Sequence, residues 1–164
     1  MVIPTVAAVA VKHFRSKQGD SAHMEPKHPA VAFLLDAWNS GDFSRVDKFV
    51  ATDISIHTNG RPLAADRDGQ STVCDRIQSW RALAPDLVME LREEIRNKRR
   101  IAIEFRITGT LAADGSRRGG PIEVSGSAFL SINKGEVTEV RTVYDTLTVA
   151  LANGSVSEWT PPPN

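Results

Sequence analysis

The segment Glu139-Val-Arg-Thr-Val-Tyr-Asp-Thr-Leu147 is the most informative stretch of this chain. Its β-branched residues predict a strand, here extended over Val137 to Val149, that presents one carboxylate, Asp145, directly after an aromatic ring. On a regular strand Arg141 and Asp145 share one face and Tyr144 takes the other. Asn133-Lys-Gly135 supplies a tight turn back to a preceding strand, Ile122 to Ile132. Further upstream, Leu87, Met89, Leu91, Glu93 and Ile95 alternate with Val88, Glu90, Arg92 and Glu94. Ile101, Ile103, Phe105 and Ile107 alternate in the same way with Ala102, Glu104, Arg106 and Thr108. Both patterns have the period of a sheet with one apolar face. The Ala113–Pro121 stretch between the second and third of these strands reads as a flexible hairpin tip.

The N-terminal half has a different period. Val31, Phe33, Leu34, Leu35, Ala37 and Trp38 make one broad helical face over Pro29 to Asn39, and Gly41 stops that helix. Asp42 is placed to cap a second helix, Phe43 to Val50. Strand-like Ile54-Ser-Ile-His57 follows, then turn residues Thr58-Asn-Gly-Arg-Pro62. A helix from about Ser71 to Ala84 carries Val73, Ile77, Trp80 and Leu83 at spacings of three and four. Helices, one strand, a helix and then a run of strands predict an α+β domain, with helices on one face of a curved antiparallel sheet. The expected divisions are an N-terminal extension at 1–23, one domain at 24–154 and a Pro-rich tail at 155–164.

Composition narrows the functional classes. The 164 residues suit one domain with a real core. Hydrophobic residues at 41% and charged residues at 24% are ordinary for a soluble globular protein. Twenty basic residues balance twenty acidic ones, which argues against nucleic-acid binding driven by overall charge. The basic run Arg96-Asn-Lys-Arg-Arg100 reads as a solvated hairpin turn. A single cysteine, Cys74, excludes an intramolecular disulfide. His13, His23, His28 and His57 show no metal-ligand spacing, so neither a metal nor another cofactor is expected. In Met1 to Val11 the positive charges follow the apolar stretch, the reverse of a secretory signal, and the stretch is too short to span a bilayer. The expectation is a cytoplasmic protein without membrane or nucleic-acid partners, with Met24 as an alternative start.

Several landmarks stand in a familiar order: Ala37-Trp-Asn-Ser-Gly-Asp42, the strand ending in His57, Ala84-Pro-Asp-Leu87, Ile107-Thr-Gly-Thr110, Val124-Ser-Gly126 and Tyr144-Asp-Thr-Leu147. Over roughly residues 30–152 the chain resembles SnoaL-like polyketide cyclase domains of the nuclear transport factor 2-like, cone-fold superfamily. The resemblance implies a cone with an internal cavity and, in the cyclases, an Asp on the last strand that serves as general acid/base without a cofactor. Asp145 matches that position, and His57 stands where many relatives carry a polar pocket residue. There are departures. Arg141 replaces a tryptophan common four positions before the Asp, Ala128 replaces an Asp, and Leu111 replaces a histidine. An inward Arg141 would hold Asp145 ionised and favour binding of an anion over proton abstraction.

The leading expectation is a small enzyme that cyclises or isomerises a hydrophobic, polyketide-like carbonyl compound. Asp145 and His57 would be catalytic, with Arg141, Trp80 and Phe105 binding the ligand; Trp38 reads as core. Isomerisation of the ketosteroid type would also need an inward phenol, which strand parity does not provide. The alternative is a non-catalytic ligand-binding or dimer-forming module. Epoxide opening is a third reading, with Glu104 and Glu139 the candidates for a second carboxylate. A homodimer is expected through an outer sheet face bearing Val124 and Ile132.

Overall fold

A computed structural model describes residues 24–63, 68–113 and 119–152. The expected extension at 1–23, the tail at 155–164 and most of the hairpin tip, 114–118, lie outside the described residues. Helix α1 (Pro29–Ser40) starts where proline's missing N–H costs nothing, with His28 Nδ1 accepting the Ala30 amide at 3.2 Å. Gly41 ends it in the left-handed region, at φ 75°. The second helix is shorter than the sequence suggests. Asp42 closes a local turn by accepting the Ser44 amide at 2.8 Å, and α2 (Val46–Phe49) is a single turn.

Strand β1 (Val50–Thr58) turns at Asn59 and Gly60, both at positive φ, into the short β2 (Arg61–Pro62). Helix α3 (Gly69–Leu83) is capped by Asp68, whose carboxylate accepts the Ser71 amide at 2.9 Å. Four long strands follow: β3 (Val88–Asn97), β4 (Arg100–Leu111), β5 (Gly120–Asn133) and β6 (Glu136–Tyr144). The last helix, α4, spans Thr146–Ala152.

The six strands form one sheet in the order β2-β1-β6-β5-β4-β3. The α+β architecture expected from the sequence is the one observed, with helices packed on a curved sheet. One pairing corrects the expected antiparallel sheet: β1 runs parallel to β6, so the sheet is mixed. Helix α1 packs on β3 and α3 on β1. Polar clamps fix these helices. Asn39 donates to the Met89 carbonyl at 3.0 Å and accepts the Met89 amide at 2.7 Å, and Arg81 donates to the carbonyls of Trp38 and Asn39 at 2.9 Å. The core lies between helices and sheet, with Phe33, Ile77, Leu91, Leu130 and Val137 fully buried. No helix among the described residues is long and apolar enough to cross a membrane.

Strand β6 departs from regular alternation, and the departure decides which residues face the core. Ile132 pairs with Val137, but Ser131 pairs with Glu139, leaving Thr138 as an extra residue. Val137 is buried ahead of this bulge. Beyond it Val140, Thr142 and Tyr144 point inward, while Glu139, Arg141 and Val143 point out. The parity expected for Arg141 and Tyr144 is thus reversed. The strand also ends at Tyr144 rather than Val149, because Asp145 caps α4. Val124 and Ile132, expected on the exposed face, are buried in the core; on β5 their parity runs with Ala128 and Leu130.

Candidate ligand cavity

Between α1, α3 and the inner face of the sheet lies a cavity of about 110 Å³. Its helical wall comes from two stripes with identical spacing: Val31, Leu34, Leu35 and Trp38 on α1, and Val73, Arg76, Ile77 and Trp80 on α3. Positions i, i+3, i+4 and i+7 fall on one helical face, so each stripe is a direct product of the period. The sheet contributes alternate residues, among them Phe105 from β4, Leu130 from β5 and Val140 and Tyr144 from β6.

The floor depends on a missing side chain. Gly126 on β5 pairs with Phe105 on one side and Tyr144 on the other. A Cβ at Gly126 would stand 2.6 Å from the Phe105 ring, 2.7 Å from the Val143 carbonyl oxygen and 2.8 Å from the Tyr144 Cβ. Glycine therefore lets the Phe105 ring and the Tyr144 Cβ close over its backbone. Tyr144 is held further by Asn59, which accepts the Tyr144 amide at 3.1 Å and donates to its carbonyl at 3.3 Å. The Trp80 ring meets Tyr144 edge-on at 5.7 Å and Trp38 at 6.2 Å.

Among the described residues, the polar side chains in this wall are Thr58, Thr142, Arg76 and Tyr144, and it contains no carboxylate or imidazole. Arg76 Nη2 donates to the Tyr144 hydroxyl at 2.5 Å. Trp80 and Phe105 line the cavity, and Trp38, expected as core, packs against the core and lines the cavity as well.

The other expected site residues lie elsewhere. His57 and Arg141 are register partners on β1 and β6, but both point to the opposite face of the sheet. There His57 Nε2 hydrogen-bonds Ser55 Oγ at 2.9 Å, and Arg141 Nε donates to Glu139 at 2.8 Å. That bond from Arg141, with a second from Ser131, holds the Glu139 carboxyl below its usual range. Arg141 therefore pairs with Glu139 and not with Asp145. Asp145 is exposed, outside the cavity wall, and its carboxylate accepts the Thr148 hydroxyl and the amides of Thr148 and Leu147. Those Thr148 and Leu147 bonds lower its pKa. The expectation that Asp145 and Arg141 face one cavity is corrected, and the cause is the bulge together with the cap.

The sequence pattern left Arg76 unremarked and put Tyr144 on the opposite face of a regular strand, from which only a bulge would bring it inward. The signal for Arg76 was available: it is the one polar position in an otherwise apolar i, i+3, i+4, i+7 stripe. Tyr144 was hidden by the bulge at Thr138. No group of three or more His, Cys, Asp or Glu among the described residues is arranged to hold a metal.

Several solved structures share this architecture. A putative hydroxylase from Streptomyces galilaeus, AclR, matches with TM-score 0.66 at 18% identity, covering 80% of this chain and 82% of its own. A putative SnoaL-like polyketide cyclase from Jannaschia matches with TM-score 0.65 at 15% identity, over 82% of this chain and all of its own. IdmH, a putative polyketide cyclase from Streptomyces antibioticus, matches with TM-score 0.61 at 23% identity, over 77% and 96%. At these identities the likeness shows the fold alone. No curated protein matches the chain in sequence. The model of the SnoaL-like polyketide cyclase family matches residues 28–152, from the cap of α1 to the end of α4. With that match spanning both helical stripes and every strand of the cone, the chain belongs to the SnoaL-like polyketide cyclase family.

Proposed function

We propose that this protein binds an apolar small molecule in the cavity between α1, α3 and the sheet. The supporting observation is the wall itself: mostly aromatic and aliphatic side chains, with Arg76 and Tyr144 hydrogen-bonded to each other among its few polar groups. Acid/base catalysis by Asp145 and His57 receives no support from this geometry. Asp145 is a solvent-facing helix cap, and His57 lies across the sheet from the cavity.

A second reading is cyclisation or isomerisation of a carbonyl compound, in keeping with the family. The observation that favours it is the Arg76–Tyr144 hydrogen bond, because these donors suit a developing oxyanion. Asp145→Asn tests the assignment. Asparagine is as good an N-cap as aspartate, so the variant should fold normally. Calorimetric titration with a small aromatic compound such as toluene is expected to give the wild-type affinity. Turnover of any cyclisable or isomerisable carbonyl substrate should survive Asp145→Asn and fall in Tyr144→Phe. A loss of roughly 10²–10⁴ in rate for Asp145→Asn, with Tyr144→Phe unaffected, would return catalysis to the carboxylate.

We also infer that a second copy of the chain covers the outer sheet face. Ile95, Phe129 and Val143 are 58%, 53% and 55% exposed on that face, beside the Arg141–Glu139 pair. Exposed apolar surface costs about 25 cal/mol per Å², and a patch with charges of both signs suits a two-fold partner. Sedimentation at micromolar concentration should give a dimer, and Phe129→Lys a monomer. A monomeric wild type would count against the interface.

A further inference from the structure

The polar end of the cavity says more about the ligand than its apolar walls do. Arg76 is partly buried, and among the described residues no carboxylate forms an ion pair with it. Its side chain bonds instead to a neutral oxygen, the Tyr144 hydroxyl. A guanidinium has five N–H donors and a full charge, and one neutral acceptor satisfies little of either. A bound anion would supply a counter-charge and take up further donors. Since Tyr144 Oη accepts from Arg76, the phenolic proton remains to be donated to a third group. Two donors thus meet at one place in a cavity whose remaining wall, Thr58 and Thr142 apart, is rings and aliphatic chains.

Size sets a second bound. An apolar cavity of about 150 Å³ accepts benzene, and this one is about 110 Å³. That is room for about one ring within the wall. The edge-on contact of Trp80 with Tyr144, and the Phe105 ring over Gly126, favour a flat occupant.

From these observations, and resting on the small-molecule reading above, we propose that the ligand is a single-ring apolar compound with one anionic oxygen. Arg76 and the Tyr144 hydroxyl would hold that oxygen, and the ring would lie against Trp80 and Phe105. A carboxylate and a phenolate or enolate share this chemistry. Charge-assisted bonds of this kind are the stronger ones, and the fork of Arg76 suits a carboxylate.

The test is calorimetric titration of the full chain at neutral pH with benzoate, benzamide, 4-nitrophenolate and toluene. At least one of the two anions is expected to bind roughly ten- to a hundred-fold more tightly than benzamide, the neutral isostere of benzoate. Which anion does so separates the carboxylate from the phenolate source. Arg76→Met keeps the helical stripe apolar and should remove the preference. Arg76→Lys, which retains the charge, should restore part of it. Equal affinity for anions and benzamide in the wild type, or a preference unchanged in Arg76→Met, would overturn the inference. If toluene binds without any anion preference, only this inference falls. If none of the four binds, the cavity reading falls with it.

Discussion

Phe105→Ala is expected to lower the free energy of unfolding by about 3–5 kcal/mol. The ring is 3% exposed at the middle of β4, between Leu91 on β3 and Gly126 on β5. Its removal loses the transfer free energy of an aromatic side chain. The space left would merge with the existing cavity instead of collapsing, because Gly126 offers no side chain to fill it. Urea unfolding should show a lower midpoint with an unchanged slope. The variant should also accept larger rings than the wild type. A loss below about 1 kcal/mol would mean that the ring is not packed as described.

Gly126→Ala is the complementary case, in which one added carbon has no place to go. The neighbours at 2.6–2.8 Å include the Val143 carbonyl oxygen, which cannot move without disturbing the β5–β6 ladder. Overpacking of this kind costs about 1–3 kcal/mol. Relief must displace Phe105 or Tyr144, so affinity for an aromatic probe should fall with stability. Gly120, on the same strand, has open space where a methyl would stand, with nothing within 4 Å, and Gly120→Ala should change neither property. Similar losses at both glycines would point to strand propensity and not to the cavity floor.

The two substitutions also mark how far the chain can be read without coordinates. Phe105 was legible as a cavity candidate because period two along β4 puts it with Ile103 and Ile107 on one apolar face. Trp80 was legible from the spacing of α3, and the stops at Gly41 and Gly135 from turn chemistry, since both residues adopt positive φ. Gly126 stood in the Val124-Ser-Gly126 landmark, but nothing in the sequence says that the Phe105 ring and the Tyr144 Cβ take the space of its missing side chain. That follows only from strand pairing, which places Phe105 and Tyr144 on either side of it.

Local periodicity and turn residues are properties of adjacent positions, and they were enough to specify an α+β domain with its helices on one face of a curved sheet; the cone came from the family resemblance. The parallel pairing of β1 with β6 joins residues more than eighty positions apart, which no local pattern encodes. The bulge at Thr138 belongs to the same class. It arises from register against β5, and that one extra residue turns Arg141 outward and Tyr144 inward. Asp145 then meets the first turn of a helix, where its carboxylate is used as a cap. The sequence by itself therefore determined most of the elements and the apolar stripes that close the cavity, but not the single turn of α2 or the helix α4. Tertiary structure alone decided which polar groups that cavity received, because a side chain's facing depends on long-range register, and a shift of one residue reverses it.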